Sequence, residues 1–391
     1  MRLYLDYNAT APILPEAREA LAAALDAANP SSVHGEGRAA RALVERARVS
    51  VARLLGAESE NVVFTSGATE AAANSLTPRW LVAGVERRVS RLAVLDTDHP
   101  CLREAGGFPA EDVTRLPVDG SGAFLPGALA EWVDGLGPGE TGLLALTLAN
   151  SETGVVQPLD RIRAVVADKP VLLVLDVVQA VGRMPVSLAE TGADALILSG
   201  HKLGAAKGVG ALVLAEAATR PFALIRGGGQ EGGRRSGTEP VPAIASFGAA
   251  AEVAFARGKD PAREMAARRE TLERMLLTRV PGAVILGEAA QRIPNTVAVA
   301  VPGLRAETAQ IALDLAGFAV SAGSACSSGK VGRSHVVEAM AKGGLALSPQ
   351  DGAIRVSFGP DTALDDLLRF ADAFASLAAR TIRAPGRGRA A

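Results

Sequence analysis

Polar residues that could bind and activate a ligand follow several apolar runs of the sequence. After one run the chain reads TSGATEAAAN (residues 65–74), a series of small residues that opens a helix. After two other runs come Asp176 with Gln179, and His201 with Lys202. Because ligands of open α/β sheets bind at the carboxyl ends of the strands, we expect these groups to lie in one crevice.

Together these residues match the needs of pyridoxal phosphate. That cofactor requires a phosphate cradle, a lysine for a Schiff base and an acid that faces the pyridine nitrogen. The backbone N–H groups and the dipole of a helix start suit a phosphate. Each residue alone has an ordinary explanation, as a helix cap, a turn residue or a solvated lysine. A nucleotide-binding ATPase has no motif support, because the sequence has no GxxxxGK[ST] and no GxGxxG after the first strand.

A second candidate for chemistry is Cys326, within SAGSACSSGK (residues 321–330). Cysteines outside disulfides are usually small buried hydrophobes, but these neighbours are too small and polar to bury one. A loop of Ser, Ala and Gly can also swing, because nothing large anchors it in a core. We therefore interpret Cys326 as a reactive thiol that acts as the thiolate, and Cys101 as a packing residue. Three residues could favour that thiolate: Lys330, Arg333 and His335.

Composition argues against several classes of function. The 391 residues are 48% apolar, enough to bury a large core. The formal net charge of −1 gives no reason to expect nucleic acid or an anionic membrane as a partner. No apolar run approaches the ~20 residues of a membrane span. Two cysteines make no disulfide framework, there is no CxxC to hold a metal, and the first residues have no apolar signal core. We therefore expect a cytoplasmic protein with no metal site.

Short apolar runs alternate with helical patterns along the first part of the chain. The Val/Leu/Ile content of these runs suits a parallel sheet covered on both faces, which predicts an α/β layered domain. The predicted strands are 62–67, 143–150, 171–176, 195–200 and 209–214. One helix has an apolar face from Leu43 to Leu55 and should end at Gly56.

The pattern changes after about residue 245. A long Ala/Arg/Glu-rich helical region (249–279), another strand (NTVAVAVPG) and a final amphipathic helix from Leu364 to Leu377 follow. We predict a large α/β domain over residues 15–245 and a smaller α+β domain formed by 1–14 and 246–380. Residues 381–391 are predicted to be a disordered tail.

Seven motifs occur in an order and at a spacing that resemble those of cysteine desulfurases. These are fold-type I, class V aminotransferase-like enzymes that depend on pyridoxal phosphate and serve iron–sulfur cluster assembly and nitrogen fixation. The resemblance runs from Leu5 to about Leu377. The motifs are LDYNATAP, NPSSVHGEGRAAR, FTSGATEAAAN, ETGVVQP, SGHKLGAAKGVGAL, RSGTEPVP and SAGSACSSG.

The resemblance implies a role for each matching residue. Lys202 would form the Schiff base, Asp176 would pair with the pyridine nitrogen, and His99 would stack on the ring and act in acid–base steps. Cys326 would take the sulfur of L-cysteine as a persulfide and release alanine. The phosphate would be held by Ala68, Thr69, Ser199 and His201, with Thr238 reaching it from the other subunit of a homodimer. The 3′-oxygen would be bonded by Gln179 and the substrate carboxylate by Asn29 and Arg355, whose planar fork matches a carboxylate.

The chain departs from the family pattern at a few positions. Ser151 stands in NSETG where an Asn usually contacts the 3′-oxygen, and serine is short enough to need a bridging water. The loop SAGSAC matches the longer-loop subgroup, which prefers cysteine and passes sulfur to partner proteins such as iron–sulfur scaffolds. Two alternatives remain open. One is a class V aminotransferase or lyase that uses no thiol, and the other is a non-catalytic scaffold for iron–sulfur assembly partners.

Overall fold

The computed structural model describes residues 2–104, 106–323 and 333–382. Its strands and helices alternate through most of the first half of the chain. The strands are β1 (Leu3–Tyr4), β2 (Val62–Thr65), β3 (Arg79–Val82), β4 (Val85–Leu95), β5 (Val113–Leu116), β6 (Thr141–Thr147), β7 (Val171–Asp176), β8 (Ala195–Ser199), β9 (Gly210–Leu214), β10 (Arg220–Pro221), β11 (Val284–Ile285), β12 (Thr296–Ala300), β13 (Phe318–Ala319) and β14 (Ile354–Ser357).

Helices cover both faces of the sheets. They are α1 (Pro15–Ala23), α2 (Gly35–Leu55), α3 (Ala68–Ser75), α4 (Pro100–Arg103), α5 (Pro126–Asp134), α6 (Leu159–Val166), α7 (Leu188–Thr191), α8 (Val241–Arg257), α9 (Asp260–Arg279), α10 (Ala306–Leu315), α11 (His335–Lys342) and α12 (Leu364–Ile382). Helix α2 ends as predicted, because Gly56 adopts the left-handed conformation (φ 63°) that a residue with a side chain resists. Among the described residues, no helix is both long and apolar enough to cross a bilayer.

A nine-stranded mixed sheet is the centre of the fold. Eight of its strands follow the order β10-β3-β4-β6-β7-β8-β9-β2. The ninth, β5, lies off this path and pairs with β4. Strands β4 to β8 pair in parallel, whereas β9 runs antiparallel to both β8 and β2. The predicted mostly parallel α/β architecture is confirmed. Strands β2 and β9 are as apolar as the parallel strands although they pair antiparallel. Their composition therefore reflects burial on both faces of the sheet and not the direction of the strands.

Successive residues of the central strands enter two different hydrophobic cores. In β7, Leu173 and Leu175 pack in the core under α2 and α8, while Leu172 and Val174 pack in the core beside α3. This alternation follows from the period of two residues in a strand. It explains the uninterrupted apolar runs, since both faces of the sheet are covered.

A separate core lies between the smaller sheets (β1-β13 and β11-β12-β14) and helices α9, α10 and α12. Leu5 belongs to this core, whereas α8, which spans the predicted boundary at residue 245, packs Phe247 and Ala251 in the first core. The division into two domains stays a prediction. The last helix continues to Ile382, two residues into the predicted tail, and residues 383–391 lie outside the described residues.

Candidate active site

Strand register brings the ends of β2 and β8 together around Gly210. Thr65 and Ser199 both pair with Gly210, one on each side of β9. A Cβ atom at Gly210 would lie 2.7 Å from the backbone of Gly67, so only glycine allows the turn before α3 to pack this closely. Helix α3 then begins at Ala68. Its first N–H groups, together with Ser199, form one edge at which an anion would be well placed.

Asp176 is a buried carboxylate at the carboxyl end of β7. Its Oδ1 accepts a hydrogen bond of 2.9 Å from the Val178 N–H. Burial raises the pKa of Asp176, and the Val178 N–H, His99 and Lys202 each oppose that rise. Lys202, which the strand-end pattern predicts in the same crevice, and His99, which the family resemblance predicts beside the ring, are therefore both close enough to act on the charge of Asp176.

Lys202 lies in the tight turn after β8 and binds the N-terminal segment. Its Nζ donates to the backbone carbonyl of Ala9 (2.8 Å) and to that of Asn8. Gln179 Nε2 donates to the same Asn8 carbonyl at 3.0 Å. The Gln179 Oε1 atom is buried and has no hydrogen-bond partner among the described residues, so a bound hydroxyl group would satisfy it.

His201 points toward the same N-terminal segment. Its Nδ1 lies 3.2 Å from the Thr10 hydroxyl oxygen. Burial lowers the pKa of His201 to about 4, and the positive charges of Lys202, Lys207 and Arg183 add to this effect. The imidazole is therefore neutral at pH 7 in the absence of a bound anion.

His99 caps the short helix α4, with its Nδ1 accepting from the Cys101 N–H (3.2 Å). The preceding Asp98 carboxylate accepts from the N–H groups of Leu95 (2.7 Å) and Thr147 (2.8 Å), which ties the segment to the ends of β4 and β6. Burial lowers the pKa of His99, the negative charge of Asp176 opposes the change, and Lys202 adds to it. His99 is therefore a neutral imidazole held on a rigid support.

Arg355 is almost completely buried and already engages two groups. Its NH2 pairs with Asp6 Oδ1 (2.7 Å), and its NH1 donates to the Ser151 carbonyl (3.0 Å). Asn29 is exposed in the turn before α2, and its Oδ1 accepts from the Ser31 N–H at 2.9 Å. The two residues have different surroundings, and their joint role toward a substrate carboxylate stays a prediction.

The N-terminal segment contributes a residue to which the sequence analysis assigned no role. Asn8 is fully buried; its Nδ2 donates to the Ser151 carbonyl (3.1 Å) and to Thr296 Oγ1 (2.9 Å). Its carbonyl also accepts the bonds from Gln179 and Lys202. The only available signal was its position in the motif LDYNATAP.

Comparison with known proteins identifies the family to which the chain belongs. The sequence profile described as aminotransferase class-V matches residues 3–370. This chain belongs to the class-V aminotransferase family. The chain is 40% identical over 366 residues to a protein named cysteine desulfurase from Cereibacter sphaeroides, covering 91% of this chain and 90% of the relative. It is 32% identical to the cysteine desulfurase IscS of Dictyoglomus turgidum, with 93% and 91% covered.

Solved structures support the same family. A NifS-like protein from Rickettsia africae ESF-5 superimposes with a TM-score of 0.85 at 28% identity, covering 96% of this chain and 99% of that chain. Another structure titled NifS-like protein gives a TM-score of 0.83 at 30% identity, with 97% and 100% covered. The confirmed predictions are therefore the family and the fold.

Three predictions about this member of the class-V aminotransferase family remain predictions: the sulfur-accepting cysteine, the contribution of Thr238 to a second subunit and the absence of a metal site. Cys326 and Lys330 lie outside the described residues. Thr238 is exposed on the chain surface, and the second subunit to which it would contribute is a prediction. Within the described ranges, no cluster of His, Cys, Asp or Glu has the arrangement of a metal site.

A cavity of about 420 Å³ adjoins this edge of the class-V fold. Of the predicted site residues that the structure describes, only Lys202 lines it. Most of the lining is apolar and includes Leu54, Val181, Met184, Phe255 and Phe358. We assign the site to the carboxyl ends of the strands, because the ionisable groups converge there.

Proposed function

We propose that this protein is a pyridoxal phosphate-dependent cysteine desulfurase, which converts L-cysteine to L-alanine and takes the sulfur on Cys326. The observation that carries the proposal is the convergence of Lys202, Asp176 and His99 at one sheet edge, where Lys202 acts on the pKa values of the other two and these act on each other. The relatives named cysteine desulfurase at 40% and 32% identity support the choice of substrate.

The residues present fit pyridoxal phosphate. The start of α3 at Ala68 and Thr69, with Ser199 and His201, would hold the phosphate. A Cβ atom at Gly67 would meet nothing within 4 Å, so the turn before α3 borders open space. The unpartnered Gln179 Oε1 would accept a bond from the 3′-hydroxyl, and Ser151 would lie near the same oxygen. Lys202 would carry the cofactor, and Asp176 would face its ring nitrogen.

The side chains of this chain would then divide the proton transfers between them. When bound, the cofactor supplies an electron-withdrawing ring that stabilises negative charge on the substrate. Lys202 Nζ would remove the substrate α-proton, with His99 as the neighbouring base, since its lowered pKa leaves it neutral at pH 7. Asp176 would hold a proton on the ring nitrogen, which stabilises that negative charge. Arg355 and Asn29 would orient the substrate carboxylate.

Sulfur transfer would conserve atoms and electrons. The Cys326 thiolate would attack the substrate sulfur, so that an S–S bond forms as the substrate C–S bond breaks. The carbon that loses sulfur would take a proton, and alanine would leave. Cys326 would keep the persulfide until an acceptor protein, such as an iron–sulfur scaffold, removes its outer sulfur. We propose that the enzyme works in the cytoplasm as a homodimer to which Thr238 contributes across the subunit boundary.

One experiment tests this assignment directly. The purified protein, loaded with pyridoxal phosphate, is incubated with L-cysteine; alanine is measured, and the extra sulfur is located by mass spectrometry of peptides. We expect alanine with one added sulfur on Cys326. Cys326→Ala should keep the visible absorption of the bound cofactor and lose sulfide production, whereas Cys101→Ala should keep both.

Two results would contradict the proposal. Full-rate sulfide production by Cys326→Ala would exclude the persulfide step and favour a class V enzyme that uses no thiol. A colourless protein that is silent with cysteine even after addition of the cofactor would favour a non-catalytic scaffold.

A further inference from the structure

A buried carboxylate anchors the Gly-rich loop, which we define as residues 226–238. The Glu231 side chain is 1% exposed. It makes a two-point ion pair with Arg48, with distances of 2.7 Å to NH1 and 2.9 Å to NH2. The same Oε2 that accepts from NH1 also accepts from the Phe64 N–H of β2 at 2.9 Å. Glu231 thus ties the loop to helix α2 and to the strand that leads into α3.

The backbone at Glu231 is held in an unusual conformation. Its φ of 50° lies in the left-handed region, which residues with a side chain adopt rarely and only where their surroundings hold them there. Six of the thirteen loop residues are glycines, which lose the most conformational freedom on ordering. The Glu231 anchor therefore restrains a loop whose composition favours many conformations.

A second bridge joins the loop to the beginning of α3. Arg235 Nε and NH2 donate to the two carboxylate oxygens of Glu70 at 2.8 and 3.3 Å. Glu70 also accepts from the Ser66 N–H at 2.8 Å. The loop is therefore bonded to β2 and to the first turn of α3, and Glu70 in turn joins that first turn to Ser66. These are the elements that carry the proposed phosphate cradle.

We propose that Glu231, paired with Arg48, is a positioning residue for the phosphate end of the cofactor site. It holds the Gly-rich loop against β2 and α3 before a phosphate binds. The N–H groups at Ala68 and Thr69 would then be in place for the phosphate of the same subunit, and the hydroxyl of Thr238 for that of the other subunit of the proposed homodimer. This inference rests on the proposed pyridoxal phosphate function and adds a residue that touches neither substrate nor cofactor.

The chemistry of the pair favours positioning over simple stabilisation. In a buried Arg–Glu pair both charged groups lose their hydration. Two apolar residues of similar size can therefore often replace the whole pair without loss of stability. Such residues cannot supply the directional bonds to Arg48 and to the Phe64 N–H. The specific contribution of Glu231 is therefore to hold the loop in one position, and not to add net stability.

The test compares the affinities for pyridoxal phosphate and for pyridoxal, which lacks the phosphate. Both dissociation constants are measured by equilibrium titration, and their ratio isolates the contribution of the phosphate. Glu231→Gln should reduce the preference for pyridoxal phosphate by about tenfold, the effect of one or two weakened hydrogen bonds to a charged group. A residue that only stabilised the fold would change both affinities alike.

An ion pair on helix α9, far from the Gly-rich loop in sequence, provides a matched control. Glu273 forms a comparable two-point pair with Arg292, at 2.5 and 3.0 Å, where helix α9 meets the segment before β12. Glu273→Gln should reduce the free energy of unfolding and leave the ratio of affinities unchanged. Comparison of the two conservative changes, Glu231→Gln and Glu273→Gln, therefore separates displacement of the Gly-rich loop from a general loss of stability.

A second variant covers the case in which Glu231→Gln does not fold. The double change of Arg48→Met with Glu231→Leu removes both charges together, so no buried charge is left unpaired. It still leaves the Phe64 N–H without its acceptor, so it should fold with a lower free energy of unfolding than the wild type while losing the phosphate preference. An unchanged ratio in the folded Glu231 variant, with a reduced ratio in Ser199→Ala, which removes a hydroxyl of the proposed cradle, would overturn the inference alone. An unchanged ratio in Ser199→Ala as well would overturn the proposed cradle and this inference with it.

Discussion

The edge formed by the carboxyl ends of β7 and β8 and the adjoining cavity share Lys202 but differ in chemistry. At the edge, the charge of Lys202 acts on the pKa values of Asp176 and His99, and those two groups act on each other. The cavity has a volume of about 420 Å³ but mainly apolar walls. Arg183 also lines it, but its guanidinium donates to the backbone carbonyls of Gln179 and Tyr7 and so supports the surrounding segments. The proposed site is therefore chosen by the convergence of ionisable groups and not by the volume of the cavity.

The largest effect should come from the residue common to both regions. Lys202→Ala should abolish the visible absorption band of the loaded protein and lower the rate of alanine formation by about 10³-fold or more, because it removes both the attachment point and the base. Lys207→Ala, an exposed lysine five residues later, should change neither. A Lys202→Ala protein that keeps the band and the rate would show that the cofactor is attached elsewhere.

Asp176→Asn should have the next largest effect. An amide cannot hold a proton on the ring nitrogen as a carboxylate can, so alanine formation should fall by about 10²-fold, as when a preorganised electrostatic partner is lost. The control is Asp194→Asn at the amino end of β8, where the carboxylate accepts from the Leu173 N–H at 2.7 Å. That variant should lose stability and keep its rate. Equal rate losses in both variants would show that a carboxylate at the carboxyl end of a strand matters no more for the rate than one at the amino end.

Acid should destabilise the protein partly through His201. Its pKa falls from 6.5 in the unfolded chain to about 4 in the folded protein, mainly because of burial. Between these values the unfolded state binds a proton that the folded state does not, so the free energy of unfolding decreases as the pH falls from 6.5 toward 4. His201→Gln should make that decrease shallower in denaturant titrations. An unchanged slope would mean that this imidazole is hydrated in the folded protein.

The smallest effect is expected in the cavity. Val253 lines it and lies on α8, away from the converging charges. Val253→Phe should fill part of the space and raise the free energy of unfolding by about 0.5–2 kcal/mol, as cavity-filling changes commonly do. Alanine formation should stay within about twofold of wild type. A rate loss comparable to that of Asp176→Asn would make the cavity part of the functional site and end the distinction between the two regions.

Local patterns in the sequence were sufficient to predict much of the fold. The strand 171–176 was predicted with the bounds that β7 has, and the end of α2 at Gly56 followed from its apolar face and the glycine after it. The helical region 249–279 is two helices, α8 and α9, separated at Gly258 and Lys259. Composition showed that this region is helical but did not locate the break.

The candidate site was predictable only where its residues follow strands. Asp176 and Lys202 were predicted to meet because parallel strands end at one edge. The Asp6–Arg355 pair and the Glu231 anchor had no local signal, and the only signal for Asn8 was its position in the motif LDYNATAP. Their partners are distant in sequence: Arg355 lies 349 residues from Asp6, and Glu231 lies 183 residues from Arg48.

The amino-acid order alone specified the family, the apolar strands, the helix that opens at Ala68 and the chemical groups at the strand ends, because these depend on near neighbours along the chain. Only the folded arrangement decided that β9 runs antiparallel, that Lys202 binds the N-terminal segment and that a buried carboxylate holds the Gly-rich loop. Those features depend on which distant groups meet when water is excluded, and on whether each buried charge or N–H group finds a partner there.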